Sequence, residues 1–404
     1  MPPHASTSTQ TDTPDALPTA ALLALAMTGF ICIVTETLPA GLLPQISSGL
    51  DVSPALAGQT VTAYALGSVL AAIPLTIATQ TWRRRTVLLL TIVGFLVFNS
   101  ITAVSGNYCI TLIARFFAGA AAGLAWSLLA GYARRMVAPA QQGRAMAIAM
   151  IGTPLALSFG VPLGTWLGGA LGWRSAFGVM SAMTVLLIVW VIAKVPDYPG
   201  HTGHARPALR DVLRTPGVKP VLATVMTWML AHNILYTYIA PFVAQAGLVD
   251  RIDIVLLTFG LAALVGIVVI GKLVEHHLRT MVLSSLGAFL VVSVFLGLFQ
   301  HSATAIYIGV ALWGLTFGGA ATLLQTALAD SAGGGADVAI SMNVVAWNSV
   351  IAGGGLIGGL LLERWGPHTF PWAMAVLVAA GLCVAWSARD HGFQRGARTV
   401  VAGH

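Results

Sequence analysis

Twelve apolar runs, each long enough to cross about 30 Å of hydrocarbon, follow one another through this 404-residue chain. They lie at 19–44, 57–79, 86–104, 107–133, 144–169, 173–195, 218–244, 253–275, 280–299, 303–328, 337–361 and 368–388. The runs are continuous, without period-two alternation, so they predict helices and not barrel strands. Only 8% of the residues are charged, against about 25% in an average soluble domain. No water-soluble surface can be made from so little charge. Disorder is excluded as well, because 57% of the chain is hydrophobic and disordered chains are poor in apolar residues. The expected fold class is an all-α membrane protein with twelve transmembrane helices.

Residues 1–18 are polar and hold no Lys or Arg. They lack the basic start of a signal peptide and read as a disordered tail. The one long connection is 196–217, with four Pro and three Gly. It separates a six-helix bundle at 19–195 from a second at 218–388, and 389–404 forms a second tail. Sixteen of the twenty Lys and Arg fall in loops on the side of the tails, and only Arg174, Arg251 and Arg364 on the other. That bias places both termini in the cytoplasm. The +7 net charge then records topology, and no nucleic-acid partner is expected. Minimal loops and the absence of an Asn-x-Ser/Thr site point to a bacterial inner membrane. The halves are weakly related: Gly168-Gly169 before Trp173-Arg174 recurs as Gly358-Gly359 before Arg364-Trp365. Repeats of this kind place a substrate site between the halves, near the midplane.

Two ionisable residues lie deep within the runs, Glu36 and Arg115. A charge at a helix centre costs at least about 2.5–3.5 kcal/mol, so each needs a partner. Counted from the helix ends, both sit about 12 Å below the outer surface, which allows a salt bridge between them. Glu36 is then the candidate proton carrier and Arg115 the group that tunes it; a permanent ion pair is the alternative, and for Arg115 also a clamp on backbone carbonyls. His232 is a third proton-handling candidate, with Tyr236 one turn further on the same face. A neutral packing His is the bland reading. Candidate substrate contacts are Asn233 and Tyr236, Asn343 with Trp347 four residues on, Trp126 about three turns after Arg115, and Tyr64. Interhelical hydrogen bonds and packing compete with each of these. Pro39, Pro154, Pro162 and Pro241 should kink their helices. Cys32, Cys109 and Cys383 have no metal-ligand spacing and read as packing residues. There is no Gly-rich phosphate loop ending in Lys-Ser/Thr, no metal cluster and no Gly-x-Ser-x-Gly elbow, so neither enzyme activity nor a cofactor is expected. A membrane enzyme or assembly subunit stays open as a different class. Its only cluster would be Glu275-His276-His277.

Four stretches carry a family resemblance: Val34-Thr35-Glu36-Thr37-Leu38-Pro39-Ala40-Gly41-Leu42-Leu43-Pro44, Arg115-Phe116-Phe117-Ala118-Gly119, Gly160-Val161-Pro162-Leu163-Gly164 and Tyr236-Thr237-Tyr238-Ile239-Ala240-Pro241. Over roughly residues 20–390 the chain resembles the major facilitator superfamily. Within it, the chain is similar to the drug:proton antiporter branch of sugar, arabinose, purine-nucleoside and chloramphenicol exporters. The resemblance implies a monomer embedded in membrane lipid. It also implies proton-coupled efflux of a sugar, nucleoside or antibiotic-like solute by alternating access. Import or facilitated passage of similar solutes is the alternative. The family's loop after the second helix reads Gly-x-x-x-Asp-Arg-x-Gly-Arg-Arg. Here Arg84 and Arg85 remain but the Gly and Asp are gone, while the second-half counterpart keeps Gly271, Glu275 and Arg279. These five, with Arg144 and the antiporter-like Gly160, Pro162 and Gly164, are the gating residues the resemblance implies.

Overall fold

The computed structural model describes residues 17–138, 141–200 and 209–394. Most of both tails, with Arg395 and Arg398, and linker residues 201–208, with Arg206, lie outside the described residues. The first half holds α1 (Thr19–Gly41), α2 (Pro54–Ala78), α3 (Arg84–Val104), α4 (Tyr108–Arg135), α5 (Gln142–Leu171) and α6 (Trp173–Lys194). A short helix, Leu43–Leu50, follows α1, and another, Leu209–Arg214, lies in the linker. The second half begins with α7 (Val218–Thr237), continued by Ile239–Ala244. One long helix, Ile252–Leu298, then breaks at His277 (φ −133°, ψ 33°) into arms α8 (252–276) and α9 (278–298). It is followed by α10 (Ala303–Gly318, continued by Ala320–Ala332), α11 (Ala336–Trp365) and α12 (Phe370–Ser387).

Among the described residues ten helices are long and apolar enough to cross a membrane. The count falls short of twelve for two physical reasons. The eighth and ninth expected segments share one helix. The seventh carries Thr224, Thr227, His232, Asn233, Tyr236 and Thr237 along its length, which dilutes its apolar character. Large apolar side chains such as Leu186 (71% exposed), Val291 (68%) and Val376 (70%) face outward, as lipid-facing positions require.

Local chemistry sets the helix limits. Ser53, Asn107 and Ser302 each accept a hydrogen bond from an N–H in the first turn of α2, α4 and α10, which is the usual N-cap. Proline accounts for the interruptions, because it lacks an N–H and its ring crowds the preceding turn. Pro39 precedes the end of α1, and Pro241 follows the break at Tyr238. Pro154 and Pro162 flank a π-turn at Ala156–Gly160 inside α5. That turn touches the other half, where Ser158 Oγ donates to the Gly260 carbonyl of α8 at 2.8 Å.

Within the first half α2 packs on α4, and α3 on α4 and α6. In the second, α7 packs on α11 and α12. The halves meet where α2 crosses α11 and α5 crosses α8, with α1 against α7 between them. Hydrogen bonds joining the halves gather toward the far end, away from the linker. Tyr238 is fully buried there. Its hydroxyl donates to the Gly355 carbonyl at 2.7 Å, lies 3.2 Å from the Ala55 carbonyl, and accepts from Gln59 Nε2 at 3.3 Å. Ser53 bonds Glu363 at 3.3 Å nearby.

Candidate proton and solute site

Glu36 and Arg115 do lie at one level, but not as the expected ion pair. Arg115 donates from Nη2 to the backbone carbonyl of Glu36 at 3.3 Å and from Nε to the Thr60 carbonyl at 3.1 Å. Its guanidinium also lies 4.9 Å from the Tyr64 ring centroid and 5.6 Å from that of Phe177. No salt bridge joins it to the Glu36 carboxylate among the described residues. Depth arithmetic fixes the height of a side chain but not the direction it leaves its helix. Arg115 thus clamps α1 to α2 and α4. Tyr64 belongs to the same clasp: it is fully buried and donates to the Cys32 carbonyl at 2.9 Å. It presents no free surface to a solute, contrary to the expected contact. Asn99 of α3 adds a further tie, donating to Thr35 Oγ1 at 3.0 Å. The stretch from Cys32 to Glu36 is therefore held from three neighbouring helices.

The Glu36 side chain is nearly buried, at 6% exposure. Tyr236 of α7 lies within electrostatic reach of it and beside Thr37. His232, one turn below, sits among aromatic rings. Its imidazole is parallel to Phe317 (centroids 3.7 Å apart, 5° between planes). It lies 5.1 Å from Tyr236, 5.2 Å from Trp313 and 5.7 Å from Phe259. Among the described residues His232 Nδ1 and Trp313 Nε1 have no hydrogen-bond partner, while the Tyr236 hydroxyl is turned to Thr37. The acid nearest this cluster is Glu36, reached from His232 only by way of Tyr236.

The other expected contacts are scattered. Asn233 donates to Met229 in its own helix at 2.7 Å. Gly354 packs against Asn233 and Gly358 against Ile234, so α7 and α11 run in parallel. On that register Asn343 lies eleven residues nearer the linker than the His232 level, roughly 16 Å away. It is buried with its Oδ1 unpartnered. Trp347 packs against Val61 and Ala65 where α2 crosses α11. Trp126 lies against Gly29 of α1. Neither joins the aromatic cluster.

The residues implied as gates also find particular neighbours. A Cβ at Gly160 would meet Phe30 and Val34 of α1, and one at Gly164 would meet Leu38. With Pro162 these glycines seat α5 on α1, within one half. Arg84 donates to the Gln80 carbonyl, and its N–H to the Tyr198 carbonyl at 2.8 Å. The Arg85 N–H donates to Asp197 Oδ1 at 3.1 Å, and Arg83 pairs with Asp197 at 2.5 Å. The loop therefore holds the start of the linker. Asp197 supplies, from another segment, a carboxylate like the one the loop lost. Burial works against the Asp197 charge, but the hydrogen bonds from Arg83 and Arg85 outweigh it and hold the carboxyl below its usual range. Arg279 donates to the Ala385, Trp386 and Phe393 carbonyls at 2.8–3.1 Å, pinning the end of α12. Gly271, Glu275 and Arg144 are exposed at the linker end.

Two helical halves closing around a buried carboxyl at their boundary define a membrane transporter. The model of the Major Facilitator Superfamily matches residues 25–352 and again 249–398, and the chain belongs to that family. It is 30% identical over 357 residues to the purine ribonucleoside efflux pump NepI of Shigella sonnei (strain Ss046), covering 86% of this chain and 89% of the relative. NepI of Escherichia coli (strain K12) is 30% identical over 341 residues, covering 83% and 85%. In fold alone the chain is similar to a bacterial homologue of the human lysosomal transporter Spinster, described as inward-facing and unoccupied. That likeness has a TM-score of 0.65 at 13% identity and covers 94% of this chain and 97% of that one.

Sequence reasoning passed over Phe259, Trp313, Phe317, Asn99 and Asp197. Aromatic residues in apolar helices look like packing, and these three come from α8 and α10, far in sequence from His232. Asn99 had a visible signal, since it is one of only five Asn and the only one in the interior of a first-half run, Asn107 standing at the first position of its own.

Proposed function

We propose that this chain exports a purine ribonucleoside, or a solute of similar heterocycle-and-sugar chemistry, in exchange for protons. The observation that carries the reading is Glu36. Its backbone is anchored by Arg115, its carboxyl has no ion pair among the described residues, and it lies within electrostatic reach of Tyr236 of the second half. An unpaired charge at such depth is costly, and taking up a proton removes it. Proton and polar solute then compete at one boundary, each favouring the arrangement of halves that releases the other. Arg115 positions the carboxyl and does not handle the proton. The solute class is the one in the names of the relatives.

With sixteen basic residues on the linker side, that side faces the cytoplasm. The far-end closure at Tyr238 then makes this an inward-facing arrangement, the one that loads solute for export. A single chain supplies both halves, so a monomer in the bacterial inner membrane suffices. The test is flux in proteoliposomes with an imposed pH gradient. Wild-type protein should drive a labelled purine ribonucleoside against its gradient as protons move the other way. Glu36→Gln should keep solute-for-solute exchange and lose the pH drive. Gradient-driven transport that survives this substitution would refute the assignment of Glu36. Wild-type flux indifferent to the gradient would favour a facilitator.

A further inference from the structure

We propose that α7, α8 and α10 form a stacking slot for a flat nitrogen heterocycle, and that the His232 imidazole fills it until the solute ring displaces it. The inference rests on the purine reading above and adds the slot, its walls and its placeholder.

Phe317 is the platform. Its ring lies face to face with His232 at 3.7 Å and 5°, a closer and less offset stack than aromatic pairs usually prefer, as if the imidazole were pressed into a space shaped for a flat ring. Phe259 and Trp313, themselves 4.6 Å apart, flank His232, and the Tyr236 ring lies 5.1 Å from it at 30°. The slot has no vacant layer: His232 is 8% exposed, Tyr236 4%, and Phe259 and Trp313 1% each. A ring entering here must therefore move one out. His232 is the one that matches it in kind, since imidazole is the five-membered ring fused into every purine.

The second observation is polar. His232 Nδ1 and Trp313 Nε1 are buried without partners among the described residues, and the Tyr236 hydroxyl beside them has only Thr37 near it. Buried polar atoms are rarely left so. An unpartnered imidazole nitrogen, an indole N–H donor and a hydroxyl around an aromatic platform suit a heterocycle with both ring nitrogens and exocyclic groups. A purely apolar solute would leave them bare. The cluster also adjoins Thr37 and Glu36 of the other half. A ring bound there would lie at the boundary where the proton acts.

The experiment measures binding of labelled adenosine to the purified full-length protein, with free imidazole as competitor. Phe317→Leu removes the platform and should weaken adenosine binding about tenfold, the size of one base-aromatic stacking contact. His232→Ala empties the slot. It should bind adenosine at least as tightly as wild type, and imidazole should now displace the label, which it should not do in wild type. A His232→Ala protein that binds adenosine tenfold more weakly would overturn the placeholder role. A Phe317→Leu protein with unchanged affinity would overturn the slot. If wild-type protein binds no purine ribonucleoside, the solute reading fails. The slot is then judged by labelled benzimidazole on His232→Ala: saturable binding abolished by Phe317→Leu supports it, and no binding overturns it.

Discussion

Removing the Tyr238 hydroxyl should loosen the far-end closure by a small and calculable amount. The oxygen is shared by both halves: it donates to Gly355 at 2.7 Å, lies 3.2 Å from the Ala55 carbonyl and accepts from Gln59 at 3.3 Å. Tyr238→Phe leaves no buried group bare, however. Both carbonyls sit within helices, and Gln59 Nε2 still reaches them at 3.2 Å. The loss is that of an ordinary net hydrogen bond, about 1 kcal/mol, or roughly fivefold in the ratio of far-closed to far-open protein. Tyr238→Ala removes more. The ring is fully buried against Gly58, Gly358 and Gly359, and deleting a buried aromatic ring costs about 3–5 kcal/mol, a shift beyond a hundredfold. Spin labels at Ser48→Cys and His368→Cys, exposed positions in opposite halves at the far end, report that ratio as a distance distribution. The exposed Cys109 and Cys383 must first be replaced. A Tyr238→Ala distribution indistinguishable from wild type would refute the latch.

Other expectations concern the clasp, the packing and the linker. Arg115→Lys cannot serve two carbonyls with the same fork of donors. It should cost about 2 kcal/mol, seen as a lower thermal midpoint with transport lost in parallel. Gly119→Val would drive a side chain into the Tyr64 backbone. Such overpacking costs about 1–3 kcal/mol or more, so the folded fraction on size exclusion should fall. The lowered Asp197 carboxyl makes its clamp present above the usual carboxylate range and lost only as pH falls through a still lower value. Proteolysis of the linker should therefore be flat between about pH 5 and 8, and Asp197→Asn should raise it throughout.

Much of the fold was legible because a membrane leaves a chain few choices. Continuous apolar runs, a bias of basic residues and paired prolines mark helices, sides and breaks. What the runs hide is azimuth. Glu36 and Arg115 announce themselves by cost, and their common depth follows from counting, but whether Arg115 meets a carboxylate or a carbonyl depends on side-chain direction. The aromatic cluster was hidden for another reason. Phe259, Trp313 and Phe317 are ordinary residues in apolar helices, and only the packing of α8 and α10 on α7 gathers them around His232. Asp197 was illegible as a substitute for the lost loop acid because its partner lies 114 residues earlier in the chain.

The loop-free, kinked helix Ile252–Leu298 has a mechanical consequence. One arm, α8, receives the contact of the first half through Ser158 and Gly260. The other arm begins beside Arg279, which grips the end of α12. With one bent residue between them in place of a loop, the arms act as a crank. A push applied at the α5 crossing is delivered to the outer wall of the second half with little slack.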